Sequence, residues 1–299
     1  VRLRLNRGGG SEEEMVEESV YLGEIPKMIG GGEFIINGAL RVVVAQLHRS
    51  PGVDFSEQVH TSGKHLHSCR IIPERGSWIE ITVSKKDVLN VRIDQSGKFP
   101  ATTLLRAMSP DYSNTADLIR LFYPTEKINL SSRTAAKRLP GRVVVGHLIN
   151  NETGEVLVES GQPIPENLVE VLLASSLREV EVVKEVKDPL LLNTIAEDPT
   201  DSHDAAVVRI YRRLHPGSPP QLEKARQFIH DKFFDTNRYR LGSVGRFRLN
   251  RKFARFAEGD ERVNLPPEDD MALRPEDLVN AFRYIMALRA GEGEVDDID

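Results

Sequence analysis

Apolar and polar residues alternate along residues 78–83 and again along 90–93, the two-residue period of a half-buried hairpin, with Lys85-Lys86-Asp87 as its turn. A second hairpin is written into residues 34–44. There Asn37-Gly38 supplies the positive backbone angles of a tight turn, and the β-branched run 41–45 has the composition of a core strand. Residues 1–5 and 19–22 predict a further strand pair around the Gly- and Glu-rich stretch 8–14. After Phe99-Pro100 the period lengthens: Leu, Ala and Ile recur at helical spacing in 101–108 and 115–122, with Asn114 or Thr115 placed to cap the second helix.

Residues 141–186 form a small unit of their own: two strands around Asn151-Glu152-Thr153-Gly154, a helix at 165–175 begun by Pro165, and a third strand at 179–183. Beyond Asp204 the pattern predicts helices at 205–214, 222–234, 251–256 and 275–288, the last with Glu276 and Asp277 in its first turn, where the helix dipole favours acids. The expected fold is therefore α+β: a β-rich opening, then a mixed α/β body carrying a small β-rich insertion.

Composition changes little in this picture. With 299 residues, 39% apolar and 28% charged, the chain is long enough for two domains and can bury real cores. No apolar run approaches the roughly 18–20 residues that span a bilayer, and the start lacks a secretory core, so a cytoplasmic location is expected. A single cysteine, Cys69, rules out an internal disulfide. Both ends read as internal to a longer polypeptide. The net charge of −5 argues against indiscriminate coating of nucleic acid, yet residues 237–255 carry Arg238, Arg240, Arg246, Arg248, Arg251, Lys252 and Arg255 with no acid. A solvated helix face is the plain reading of such a run. Gly242 and Gly245 favour instead a loop-rich basic surface that can follow a DNA backbone.

The richest stretch is residues 34–53, FIINGALRVVVAQLHRSPGV, in which Gln46, His48, Arg49 and Ser50 stand beside a rigid Pro51-Gly52 corner. Amide, imidazole, guanidinium and hydroxyl groups so held suit a phosphate or a base edge. This stretch resembles the bacterial RNA polymerase beta-subunit family. So do, in the same order, YLGEIPKM (21–28), SGKHLHSCRIIPERGSW (62–78), VRIDQSGKFPATTLLRAM (91–108), YRRLHPGSPP (211–220), NRYRLGSVGRFRLNR (237–251) and GEVDDID (293–299). Ordered motifs over most of the chain are far more specific than a lone pattern. Residues 126–198 fit only loosely.

The resemblance implies an amino-terminal fragment of the subunit: part of a protrusion (1–49), a lobe in two parts (50–125 and 199–299) and a lineage-specific insertion (126–198). It implies one wall of the DNA cleft, contacting non-template and downstream DNA. Trp78 would stack on an unpaired base, worth roughly 1–3 kcal/mol per base. Arg49, Ile298 and Asp299 would form a guanine pocket, since a carboxylate accepts from guanine's N–H groups and adenine offers none in that place. Arg246 and Arg251 would meet phosphates. Arg41, Val44 and Gln46 match the edge of the rifamycin pocket. Met15, Val16 and Glu17 match an edge that docks a transcription-repair coupling factor by strand addition, although Val16 stands where that family carries a lysine. The implied partners are DNA, the alpha, beta-prime and omega subunits and a sigma factor. No catalytic residue and no cofactor is expected in this piece, the Mg²⁺ of the whole enzyme being held by another subunit.

Three other readings stand beside these. Trp78 alone is more often a packing residue than a ligand platform. His65, His67 and Cys69 would share one strand face as zinc donors, although their spacing matches no structural zinc pattern. Asp296, Asp297 and Asp299 can be read as a two-metal nuclease site or simply as a solvated acidic turn.

Overall fold

The computed structural model describes residues 1–6, 15–132, 134–151, 153–257 and 264–296. It divides into two compact units, Val1–His48 and Arg49–Asp299. In the first, β1 (Arg2–Asn6) pairs antiparallel with β2 (Met15–Ser19), and β3 (Glu33–Ile36) with β4 (Ala39–Val42). The β3–β4 turn is the Asn37-Gly38 pair, at φ +50° and +77° as the sequence predicts. Two expectations fail here. Strand β2 lies at 15–19 rather than 19–22, and stretch 8–14 lies outside the described residues. The Val run after Arg41 is not core: the strand ends at Val42, and Val43 and Val44 are exposed, because no second layer within this unit covers the ribbon.

The second unit is built on a five-stranded antiparallel sheet in sequence order: β5 (Gly52–Val59), β6 (His65–Ile72), β7 (Ile79–Val83), β8 (Leu89–Ile93) and β9 (Phe99–Pro100). Strands β7 and β8 alternate buried and half-buried positions, as their two-residue period requires. Helices α1 (Ala101–Met108) and α2 (Thr115–Phe122) follow, and the Asn114 side chain accepts from the Asp117 N–H to cap the second.

Next come β10 (Thr125–Asn129), α3 (Ala135–Arg138), β11 (Leu148–Ile149), β12 (Val156–Val158), α4 (Glu166–Ala174) and β13 (Glu179–Val183), where β10 pairs with β13 and β11 with β12. These close around a core of their own that includes Ile128, Val144, Leu172 and Val182. Helix α5 (Leu190–Glu197) then returns to the main core through Leu190, Leu191 and Ile195. Four longer helices complete the unit: α6 (His203–Leu214), α7 (Leu222–Phe233), α8 (Gly242–Ala257) and α9 (Pro275–Arg289). The whole is α+β.

Candidate nucleic-acid interface

Four consecutive strands line up at one level of the sheet: Val53 faces Ile71, Ile71 faces Ile79, and Ile79 faces Ile93. All four side chains are buried, so this row fixes the register. Just beyond it, at the same end of the sheet, lie the start of β5 with Arg49, Ser50 and Pro51, the β6–β7 connection with Trp78, and the β8–β9 loop from Asp94 to Lys98. Strands stand about 4.8 Å apart, which puts the level of Trp78 about 10 Å from that of Gly52.

Each segment is held firmly. Trp78 donates its backbone N–H to Asp94 Oδ1 (3.0 Å) and accepts from the Asp94 N–H (2.9 Å). Lys232 Nζ donates to Ser77 Oγ at 2.6 Å and pairs with Asp94 Oδ2 at 3.5 Å. Trp78 is 40% exposed, at the sheet end and not part of the core. The Arg49–Gly52 corner is gripped by α8: Arg248 Nη1 donates to the carbonyls of Ser50 and Pro51, both at 3.1 Å, and Nη2 to Asp54 Oδ1 at 2.9 Å. Gly52 sits at φ +145°, and a Cβ there would meet Arg248 at 3.1 Å, so glycine is required. Arg49 itself is exposed.

Helix α8 overturns the expectation of a loop-rich basic strip. It is one helix from Gly242, not a short one from Arg251, and most of the strip's cations already have acid partners. Arg246 is a correction. It is fully buried and donates to both oxygens of Asp277 (2.5 and 3.0 Å) and to the carbonyls of Asp270 (2.7 Å) and Ala272 (2.5 Å), so it is enclosed by protein and out of reach of a phosphate. Burial pushes the Asp277 carboxyl up, and Arg246 opposes this. Arg238 pairs with Asp231 and Asp235, and Arg240 with Glu74. Arg251 is exposed, with no ion-pair partner among the described residues. It lines a cleft of about 240 Å³ with Val53, Phe247, Arg248, Val295 and Asp296.

At the acidic end Asp296 is not simply solvated. Asp296 accepts from the Phe55 N–H (2.8 Å) and from Lys252 Nζ (2.7 Å), and its own N–H donates to the Phe55 carbonyl, so the chain here is docked onto the edge strand β5. Asp297, Ile298 and Asp299 lie outside the described residues. Of the residues here, Phe247 was not foreseen at all, Arg248 and Lys252 entered only as members of the basic run, and Asp296 only as a candidate metal ligand. Only Phe247 and Arg251, four apart on one helix face, left a readable signal.

In the first unit, Arg41, Val44 and Gln46 are exposed. Met15, Val16 and Glu17 lie within β2, not ahead of a strand, and Glu17 pairs with Arg4. On β6, His67 is buried, His65 is exposed, and Glu57 reaches both, at 2.5 Å from His65 Nδ1 and 3.3 Å from His67 Nε2. Burial lowers the His67 pKa and raises that of Cys69. A buried thiol so disfavoured as thiolate is a poor metal ligand. Among the described residues no group of His, Cys, Asp and Glu is arranged to hold a metal, and no helix is long and apolar enough to cross a membrane.

Residues 174–299 match the family described as RNA polymerase Rpb2, domain 2. The whole sequence goes further. It is 52% identical over 304 residues to the DNA-directed RNA polymerase subunit beta of Rhodopirellula baltica, covering 99% of this chain. It is 40% identical to that of Methylacidiphilum infernorum over 96% of the chain, and 38% identical to that of Chlamydia pneumoniae over 100%. The chain belongs to the beta-subunit family of DNA-directed RNA polymerases, and it spans 23% of the length of these relatives.

Proposed function

We propose that this chain forms part of one wall of the DNA cleft of a bacterial DNA-directed RNA polymerase, touching non-template and downstream DNA while nucleotidyl transfer and its Mg²⁺ reside in another subunit. The observation that carries this reading is the shared sheet end. An exposed tryptophan whose backbone is held by Asp94 and the Arg49–Gly52 corner held by Arg248 stand two strands apart, on a chain homologous to the beta subunit almost throughout. Trp78 takes the stacking role. Arg49, with Ile298 and Asp299, takes the guanine pocket, and Arg251 takes a phosphate. Chain 1–49 serves as protrusion, 50–125 and 199–299 as lobe, and 126–198 as insertion.

The partners that follow are DNA, the alpha, beta-prime and omega subunits and sigma, in the cytoplasm. Strand β2 pairs only with β1 among the described residues, and its open edge supports strand addition by a transcription-repair coupling factor. Pull-down of such a factor should weaken with Glu17→Ala. The exposed residues Arg41, Val44 and Gln46 would face the rifamycin site.

The central test is an enzyme reconstituted with Trp78→Ala or Asp299→Ala. Trp78→Ala should weaken retention of the unpaired base by the equivalent of about 1–3 kcal/mol for any base. Asp299→Ala should abolish the preference for guanine. Unchanged behaviour of both variants would sink the pocket.

A further inference from the structure

We infer that a second cavity, at the junction of α6 with the β8–β9 loop, is a seat for backbone phosphates of nucleic acid. The inference rests on the reading of the Trp78 end as a DNA surface and extends it to residues that reading does not use.

The cavity holds about 530 Å³ and is lined by Phe99, Pro199, Thr200, Arg209, Arg212 and Arg213, among others. The three arginines stand at i, i+3 and i+4, so their side chains share one helix face, where like charges repel. The helix dipole accounts for cations in the last turn, which holds Arg212 and Arg213 but not Arg209. All three are exposed, and neither Arg209 nor Arg212 has an acid partner among the described residues. Two acids close by in the fold are engaged elsewhere. The Asp198 side chain is buried, pairs with Arg106 and accepts from Thr102, Thr103 and Thr200, and Asp204 pairs with Arg226.

Arg213 fixes the position of the cavity in the fold. Its Nη2 donates to the Lys98 carbonyl at 2.6 Å, and its guanidinium lies against Gly97, where a Cβ would meet Cζ at 3.1 Å. Residues 97 and 98 belong to the loop that begins with Asp94, the residue that holds Trp78. The cationic cavity and the indole therefore lie at one end of the same sheet, joined by a five-residue loop, and exposed Lys98 adds a fourth cation between them. Phosphates recur along a strand at short, regular intervals, and a forked guanidinium matches their oxygens. A polyanion that lays a base on Trp78 would present its backbone to this cavity.

The test uses the full chain and a fluorescently labelled DNA duplex with a short unpaired stretch, with anisotropy followed from low to moderate salt. The wild type should bind at low salt. Arg209→Gln/Arg212→Gln should bind several-fold more weakly, and its slope of log affinity against log salt should be shallower by about 1.4–1.8, the loss of two phosphate contacts. The charge-matched control Lys137→Gln/Lys184→Gln should keep the wild-type slope, and circular dichroism should show all variants folded. Absence of binding by the wild type, or equal slopes in the α6 variant and the control, would overturn the proposal. Binding of inorganic tripolyphosphate with no competition from DNA would overturn the nucleic-acid source. Trp78→Ala should lower affinity and leave the salt slope intact, so failure of the stacking role and failure of the phosphate seat give different results.

Discussion

Arg246 shows how far a charge can be from what its neighbours suggest. Replacing its partner by Asp277→Asn leaves a fully buried guanidinium without its counter-charge, a change that typically costs about 3–5 kcal/mol, and urea unfolding should show it as a lowered midpoint. Gly52→Ala should also destabilise the chain, because φ +145° and the 3.1 Å approach of Arg248 both resist a side chain. A loss of less than 0.5 kcal/mol would mean that the corner is not clamped. Residue signals that act locally were readable: Asn37-Gly38 sets its own turn and Asn114 caps its own helix. Arg246 was not, because a run of arginines does not reveal which face of its helix is turned inward.

Among elements, those with a clean period were legible almost to the residue. Helices α1 and α2 and strand β13 fall where the pattern puts them. Strand β5 left no alternation to read, since its first four residues are buried and its last three exposed. Helix α8 was cut short because Gly242 and Gly245 read as breakers. Gly242 instead opens the helix at φ +75°, and Gly245 lets it approach Pro51, where a Cβ would lie 3.3 Å away. The contact between α2 and β13 predicts a pH effect. Hydrogen bonds from Arg120, chiefly, and from Thr125 hold the Glu181 carboxyl below the ordinary carboxylate range. A depressed folded value contributes stability that is present above that range and lost as pH falls through it. Acidification should therefore erode stability less in Glu181→Gln than in the wild type, as read by denaturant midpoints at neutral and acid pH.

At the scale of the molecule, the two hydrophobic cores draw only on residues from Val53 onward, whereas many apolar side chains of the first unit are exposed. Leu47 is 100% exposed, Ile25 91% and Tyr21 80%, and the unit's two ribbons are each two-stranded, a form that is marginal by itself. The family motif was legible there because it is written in residue identities. The missing burial was not, because a β-branched run looks the same whether or not a second layer covers it. A chain that begins at Arg49 should therefore unfold with a free energy within about 0.5 kcal/mol of the full chain, since no residue of either core is removed. It should also bind much less of a hydrophobic dye, as an apolar surface of this extent is lost with residues 1–48. A fall of several kcal/mol on truncation would overturn this expectation.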